Sequence, residues 1–549
     1  MLRHLRVIIT FCLSATLLTA CNHTPDHMRY IPKDAVVVAG VNLKALGKKI
    51  AWNMITGSKL FKEMQARMPQ NGSNDAISGI DKAGIDGMNT FYVYLKTGKS
   101  AAGQNKVVIT ALVPLSDAAK WEDYLKKNFP QTAIQQHSDI KELAMSGNMY
   151  AGWNKNTLIV VNVINNVNDY SAGLPLTTSS GAEAAAEMDS AFAVAKGSNI
   201  GTDANFMKLQ NADHDVTLWM NYGQMMSQYM QDNMASKMGG LSLNTDLWKN
   251  AAFACGFDFK KGKITGDMAY YTPAEYASVY KEFGTANADK DMLDRLPASD
   301  MNMLLAMHIS PKGIKSILEK TGYLGLANAG LQSQNTSVDN LLSAFTGDIA
   351  LTVNHLSITN ADVLPGIQGQ KTQMSASLVI KINNKDEFSK LFQMAQLAGM
   401  QPVPDGYFMP ISDRDSVFLL MNGQYAVAAN KFADAMAILN GSNKGQKMTD
   451  AATSQVPGHP FALFLDVAQS VKNIDFSGMM TPADSAIVGE SKRLISNVSM
   501  NGGEFKDNAM VSHMEINFTN TEENSIITLL DFGMRMTEAA NKQQAQPAL

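Results

Sequence analysis

The sequence predicts an α+β protein in which one fold occurs twice in tandem and helices pack on large, mainly antiparallel sheets. Three observations predict it. Sequence blocks recur in the same order in the two halves of the chain. Short apolar runs are separated by tight turns, which antiparallel strands allow and parallel strands do not. Several segments carry one apolar stripe at helical spacing, and such helices need a sheet face to cover.

The recurring blocks begin with an apolar strand that leads into a helix-like stretch. Asp34–Asn42 matches Asp300–His308 in this way. The next block is a helix whose apolar stripe is Trp121, Tyr124 and Leu125 in the first half. The matching stripe of the second half consists of Phe388, Leu391 and Phe392. These stripes predict helices over 117–128 and 385–397.

A hairpin is the third block. Tyr150–Asn162 matches Phe418–Asn430 without a gap, and each copy has an Asn, Asn154 or Asn422, between two apolar runs. Because Asn422 precedes a glycine, that turn is a strong hairpin signal.

The last two blocks are a strand and a second hairpin. The strand Val216–Gln224 matches Phe461–Gln469, and Phe259–Ile264 matches Phe505–Met510. Lys261-Gly262 and Asp507-Asn508 then occupy equivalent turns.

The spacing of the blocks predicts the division of the chain. The first half has about 23 additional residues before its last blocks, and their small, polar composition predicts a loop or a loose helix on the surface. A polar stretch at Asn287–Arg295 is interpreted as a solvated linker. The predicted segments are a signal peptide at 1–20, a lipidated tether at 21–29, a first half at 30–290 with the inserted loop at 171–201, a second half at 295–540, and a disordered tail at 541–549.

The N-terminus indicates where the protein is located. Arg3 and Arg6 precede a short apolar run, and Leu18-Thr-Ala-Cys21 follows it as a lipobox. The run is too short to span a bilayer. The pattern predicts cleavage before Cys21 and diacylglycerol on its sulfur, with three acyl chains after the usual processing. The alternative is an ordinary signal peptide with a chance cysteine.

Composition limits the function classes. The chain has 549 residues, of which 45% are hydrophobic and 17% charged, so it is expected to be globular. A formal net charge of −4 without a basic stretch argues against a nucleic-acid partner. Cys12 is lost with the signal, so Cys255 is the one cysteine left without a lipid, and its apolar surroundings predict a buried thiol.

A family resemblance adds to this interpretation. The opening Tyr30-Ile-Pro-Lys-Asp-Ala35, the lipobox and the block Phe345–Asn354 resemble a family of uncharacterised, domain-of-unknown-function envelope lipoproteins from Bacteroidetes. The resemblance implies a lipoprotein anchored in the envelope of a Gram-negative anaerobe, and it carries no reaction. Only one acidic residue, Asp26, follows Cys21 closely, which favours the periplasmic face of the outer membrane over the cell surface.

Motifs of known chemistry are not found. The zinc motif His-Glu-x-x-His, the Gly-x-Ser-x-Gly elbow and the Walker loop are all missing. His23 and His27 are four apart, but Pro25 lies between them. We therefore predict no catalytic residues, no metal site and no cofactor.

Two patterns point to surface chemistry. Met226, Met230, Met234 and Met238 would form one helical stripe, either a core seam or an apolar contact surface. Asp-Ser-apolar triplets resemble the O-glycosylation sites of Bacteroidetes envelope proteins, with acceptors at Ser190, Ser416 and Ser485.

The sequence favours a membrane-anchored, non-enzymatic binding or scaffold module whose partner is an envelope protein or an apolar or glycan ligand. One alternative is an envelope hydrolase that acts on glycan or peptide, with carboxylates distant in sequence. Another is a carrier of an apolar ligand.

Overall fold

The structure is a computed structural model. It describes residues 26–50, 82–100, 103–128, 130, 132–146, 149–165, 177–178, 181–226, 248–333, 335–364, 367–397, 399–411, 416–474 and 494–544. The chain divides into two compact units. Of the described residues, 26–48 and 82–221 belong to unit 1, whereas 49–50 and 222–544 belong to unit 2. The predicted signal peptide, Cys21 and residues 545–549 of the predicted tail lie outside the described residues. The prediction of disorder is wrong for 541–544, which belong to the helix Ser525–Gln544.

Unit 1 contains one antiparallel sheet. Its strands are β1 (Val37–Asn42), β2 (Thr90–Lys99), β3 (Asn105–Pro114), β4 (Gln135–His137), β5 (Ile140–Ser146), β6 (Met149–Trp153), β7 (Thr157–Asn165), β8 (Thr177–Thr178) and β9 (Val216–Met220). The pairing order across the main sheet is β4-β5-β6-β7-β3-β2-β1-β9, and each of these neighbouring pairs is antiparallel.

Unit 2 contains a longer antiparallel sheet. Its strands are β10 (Ala252–Lys260), β11 (Lys263–Tyr271), β12 (Met301–His308), β13 (Phe345–Leu364), β14 (Ile367–Ile382), β15 (Gln401–Val403), β16 (Gly406–Pro410), β17 (Ser416–Met421), β18 (Tyr425–Ala429), β19 (Phe461–Asp466), β20 (Ile495–Lys506) and β21 (Ala509–Phe518). The order is β15-β16-β17-β18-β14-β13-β12-β19-β20-β21-β11-β10.

Helices flank both sheets, so the predicted α+β class is confirmed. In unit 1 they are α1 (Leu43–Gly47), α2 (Ala118–Asn128), α3 (Gly181–Phe192) and α4 (Ala204–Asn211). In unit 2 they are α5 (Ala277–Phe283), α6 (Lys290–Asp294), α7 (Pro311–Lys320), α8 (Leu324–Gln332), α9 (Val338–Ser343), α10 (Lys385–Leu397), α11 (Phe432–Asn440), α12 (Asp450–Gln455), α13 (Val467–Lys472) and α14 (Ser525–Gln544). Within the described part of the chain, no helix is both long and apolar enough to cross a membrane.

The two predicted one-faced helices are confirmed. Trp121 and Leu125 of α2 are buried against Trp153 and Leu158 of the unit 1 sheet. Phe388 and Phe392 of α10 are buried in the same way against β17 and β18. An amphipathic helix is stable in each place because its apolar stripe has a sheet to cover.

The predicted hairpins are also confirmed. The side chain of Asn154 accepts hydrogen bonds from the amides of Asn156 and Thr157. The side chain of Asn422 accepts them from Gln424 and Tyr425. Each asparagine therefore closes an Asx turn that lets β6 return as β7, or β17 as β18.

The turn at Asp507-Asn508 has a specific backbone cause. Both residues have positive φ, 54° and 60°. Two consecutive residues of this kind are typical of the type I′ turn, whose twist matches a two-stranded hairpin, and Asp and Asn tolerate this region best among residues with a side chain.

The predicted surface loop at 171–201 contains a packed helix. Residues 181–192 form α3, whose Ala184, Met188 and Ala191 are buried. Gly152 of β6 has no side chain, and a Cβ there would lie 2.3 Å from the sulfur of Met188. A loose surface helix was one of the two predictions for this stretch, but its packing was not evident because its buried face consists mainly of alanines, which give no apolar stripe.

The interpretation of 287–295 as a solvated linker is wrong. Asp289 caps α6 by accepting from the amide of Met292, and its other carboxylate oxygen pairs with Lys381 at 2.5 Å. Met292 and Leu293 are buried in the core of unit 2. The segment lies inside unit 2, and the border between the units falls after residue 221.

Because α3 is buried, replacing Met188 should lower the free energy of unfolding far more than replacing the exposed Met88. Met188→Ala should lower the free energy of unfolding by about 2–4 kcal/mol, because it leaves a cavity beneath the helix. Met88→Ala should change it by less than about 0.5 kcal/mol, since that side chain is 65% exposed. Urea unfolding followed by circular dichroism measures both, and equal effects would contradict the packing of α3.

Candidate functional site

Each sheet has two faces that differ in what covers them. In unit 2, Leu304, Ala350, Val379 and Phe464 point to one face and pack against α6, α11 and α12. Because successive strand residues alternate between faces, their neighbours point to the opposite face. That opposite face is called the open face below.

The open face of unit 2 carries apolar residues in register across neighbouring strands. Its first row spans five strands and consists of Leu463, Leu305, Leu351, Leu378 and Ala428. Its second row consists of Leu465, Met303, Val353 and Ala376. Its third row consists of Phe461, Met307, Ile349, Ile380 and Ala426.

Unit 1 has an open face of the same composition. Its first row also spans five strands and consists of Leu218, Ala39, Val93, Ala111 and Val160. Its second row consists of Met220, Val37, Leu95 and Ile109. The third row has Val216, Val41 and Phe91.

Helices cover one end of each open face. In unit 1, α2 packs over Leu158 at the β7 end. In unit 2, α10 packs over Ala426 at the β18 end. Val93 remains 42% exposed and Leu378 36% exposed. Five strands and three rows correspond to about 19 Å by 14 Å, and apolar patches of this size often mark interaction sites.

Unit 1 also contains a cavity of about 450 Å³ with a mixed polar and apolar lining. It lies between α3, β2 and β3, and its lining includes Lys33, Asp34, Lys96, Glu187 and Ser190. Glu187 is already paired with Lys106 at 2.7 Å. None of the described residues that line it is a histidine or a cysteine.

Tyr94 forms the floor of this cavity and is almost fully buried. Burial is the largest cause that raises the pKa of Tyr94 to about 12, and the nearby carboxylates of Glu187 and Asp34 act in the same direction. The phenol therefore stays protonated at neutral pH and is suited to donating a hydrogen bond rather than accepting a proton.

A second cavity, of about 490 Å³, lies in unit 2 between α10 and the hairpin strands. Lys385, Phe392, Asp405 and Tyr407 are among its lining residues. Among the described lining residues, Lys385 and Asp405 are suited to a polar ligand, but they form no nucleophile–base pair.

The histidines of the described chain are mostly held by carboxylates. His308 Nδ1 lies 3.0 Å from Asp348 Oδ1, and Thr346 donates to Asp348 Oδ2 at 2.7 Å. The other pairs are His137–Glu142, His355–Asp300, His459–Glu504 and His513–Asp267. The pairs lie at separate places in the fold, and no three metal-ligating side chains converge among the described residues.

The predicted contact and modification residues are only partly described. Met226 lies in a helical turn at 222–226 and is partly buried, whereas Met230, Met234 and Met238 lie outside the described residues. Ser190 is exposed on α3 at the cavity of unit 1, so a sugar on it would lie beside that cavity. Ser416 begins β17 and is partly exposed, and Ser485 lies outside the described residues.

Cys255 is confirmed as a buried thiol. It lies on β10 opposite Met268, and its side chain is 1% exposed. Burial raises the pKa of the thiol to about 12. Cys255 therefore packs as a small apolar residue and is not poised as a nucleophile.

The open faces were not predicted from the sequence, although one strand has an apolar pattern that indicates them. Met301–His308 is apolar at both odd and even positions, which is typical of a strand that is covered on both sides. The register across strands, which assembles the rows, is visible only in the structure.

Fold and site together define an α+β protein with extended antiparallel sheets and an apolar open face in each unit. The model of the family described as domain of unknown function DUF4836 matches residues 28–368, and the chain belongs to that family. No curated protein matches the chain.

Among solved structures, three crystal forms of TP0453 are similar in part. Forms IV, III and I are 10%, 9% and 9% identical to this chain, with TM-scores of 0.25, 0.24 and 0.24. They cover 46%, 50% and 46% of this chain and 83%, 88% and 81% of their own. Similarities this low carry no argument about fold or function.

The His308–Asp348 pair predicts an acid-sensitive contribution to stability. Burial works to raise the pKa of Asp348, but the hydrogen bonds from His308 and Thr346 outweigh it and leave the pKa lowered. A lowered folded-state pKa stabilises the protein above the unfolded value of about 3.9, and the stabilisation is lost as the pH falls through the folded value.

Asp348→Asn should therefore lower the free energy of unfolding by about 2 kcal/mol at neutral pH, and the difference from wild type should shrink in acid. Asp267→Asn is the matched control, because its carboxylate also faces a histidine but is 63% exposed. Urea unfolding across a pH series measures both variants. If Asp348→Asn lowers the free energy of unfolding by the same amount at every pH, the lowered pKa of Asp348 is contradicted.

Proposed function

We propose that this chain is a lipid-anchored envelope protein that acts as a non-enzymatic binding module. Cys21 would hold it at the outer membrane, on the periplasmic side, and the open faces would bind an envelope protein partner. The observation that carries the proposal is that apolar rows in register occur on both sheets, the first row of each spanning five strands, and that Val93 and Leu378 stay exposed within them.

We also propose that the two halves are tandem copies of one fold. The pairing order supports it: β4-β5-β6-β7-β3-β2-β1-β9 corresponds strand by strand to β15-β16-β17-β18-β14-β13-β12-β19. The matching Asx turns at Asn154 and Asn422 support it further, as do the equivalent positions of α2 and α10. In this correspondence Leu218, Ala39 and Val93 occupy the places of Leu463, Leu305 and Leu351.

A flat apolar face fits a protein partner better than a small molecule. Small ligands are held in concave pockets that enclose most of their surface. A sheet face about 19 Å wide resembles instead the apolar centre of a protein interface, surrounded by polar residues. Two copies on one chain would also allow two contacts with a partner, which strengthens binding without new chemistry.

A carrier of an apolar ligand is the second candidate, because the same rows would bind a hydrocarbon chain. Mass spectrometry of organic extracts from the purified protein distinguishes the two candidates. A stoichiometric lipid beyond the one on Cys21 would favour the carrier.

The anchor is tested by the mass of the mature protein. We expect the chain to begin at Cys21 with a mass increase that corresponds to acylation, because the lipobox is the membrane signal in the sequence. Cys21→Ala should release the protein from membranes or leave an uncleaved precursor. A wild-type mature chain that begins elsewhere would contradict the anchor.

The open faces are tested by charge substitution together with site-specific photo-crosslinking. Crosslinking residues placed at Val93 and at Leu378 should capture the same partner in cells. Val93→Glu and Leu378→Glu should each weaken its retention on the purified protein by at least about tenfold, because a buried carboxylate is costly to desolvate.

Leu326→Glu is the matched control. Leu326 is 55% exposed and lies on α8, none of whose described side chains is buried. Leu326→Glu should leave retention of the partner unchanged. Circular dichroism should show that all three variants keep the wild-type fold. Equal retention by all variants would overturn the open faces as contact surfaces.

A further inference from the structure

We propose that the turn at 86–89 in unit 1 inserts Met88 into the lipid leaflet that holds the anchor. The proposal rests on the lipidation of Cys21 and adds a second contact with the membrane beside it. The contact surface is the side chain of Met88, and it would lie in the apolar region just below the lipid headgroups.

The short tether limits the distance between Asp26 and the lipid attached to Cys21. Only residues 22–25 separate Cys21 from Asp26, where the described structure begins. Five Cα–Cα steps span at most about 18 Å when fully extended. Once Cys21 carries acyl chains in a bilayer, Asp26 cannot lie farther than that from the attachment point.

The helical turn after the tether is fixed to the edge of the turn that carries Met88. Asp26–Tyr30 form a 3-10 helix in which His27 is 3% exposed. His27 Nε2 lies 2.7 Å from the carbonyl oxygen of Thr90, and its ring packs on Tyr92 at 5.5 Å. Met88 is two residues before Thr90, so their Cα atoms are at most about 7 Å apart.

The turn presents Met88 rather than burying it. Asp86 Oδ1 accepts from the amide of Met88 at 2.9 Å, and Asp86 Oδ2 accepts from the side chain of Asn89 at 2.7 Å. The amide of Asp86 in turn donates to the carbonyl of Pro114 at 2.9 Å. These bonds order the loop while the methionine at its tip stays 65% exposed.

An exposed apolar side chain on an ordered turn, within reach of a short lipid tether, has one nearby apolar phase to enter. Methionine is suited to this because its flexible, uncharged chain adapts to a disordered acyl region. The contact would limit rotation of unit 1 about the tether.

The experiment uses the acylated protein in vesicles of phosphatidylethanolamine and phosphatidylglycerol. Met88→Cys is labelled with an environment-sensitive fluorophore, and brominated lipids serve as quenchers. Cys21 has no free thiol once it is acylated, and Cys255 is buried, so labelling is confined to the introduced cysteine. Ile411→Cys is the matched control, since Ile411 is 64% exposed.

The probe at 88 should be quenched at least about threefold more than the probe at 411. Equal quenching of the two probes, or none at 88, in protein whose mass confirms acylation would overturn the insertion and leave the anchor intact. A mass without acyl chains on Cys21 would overturn both the anchor and the insertion.

Discussion

The alternation of side chains between the two faces of a strand is the constraint on which the rest of the structure depends. Most strands of each sheet are paired on both edges: β1, for example, lies between β2 and β9, and β12 lies between β13 and β19. With both edges used, such a strand can be solvated or packed only through its faces. A shift of one residue in register would move every side chain of a strand to the opposite face. The packing of helices on one face therefore determines which side chains lie on the open face.

The candidate site follows from that constraint. Leu304 and Ala306 are fully buried beneath helices, and between them Leu305 must point the opposite way. Its neighbours Leu351 and Leu463 point that way too, because the ladders place them directly alongside. An apolar face of this kind is normally covered in a monomeric protein; among the described helices α10 packs over its β18 end, and Leu378 near its middle is 36% exposed. This is why we propose a binding role rather than chemistry in the two cavities, where no nucleophile–base pair is found among the described lining residues.

Local features could be predicted from the sequence because local forces determine them. The stripe of Phe388 and Phe392 predicted a helix over 385–397, and α10 has those bounds. Asn422-Gly423 predicted a turn that the asparagine closes with its own side chain. The packing of α3 was missed because alanines and one methionine make its contacts, and α6 was missed because its capping and ion-pairing residues resemble a solvated linker. The open faces depend on strand register, which is a property of pairs of distant segments and is not visible in either segment alone.

The most direct test of the account is the reactivity of single thiols at neighbouring positions on opposite faces. Cysteines replace Leu378 or Val379 on β14, and Val93 or Val108 on β2 and β3, in a Cys21→Ala background in which Cys255 is buried. Maleimide labelling is followed by intact mass. The account predicts that the folded protein is labelled at 378 and 93, and that 379 and 108 react only after unfolding. Comparable rates at 378 and 379 would contradict it, because one face of that strand would then be no more open than the other.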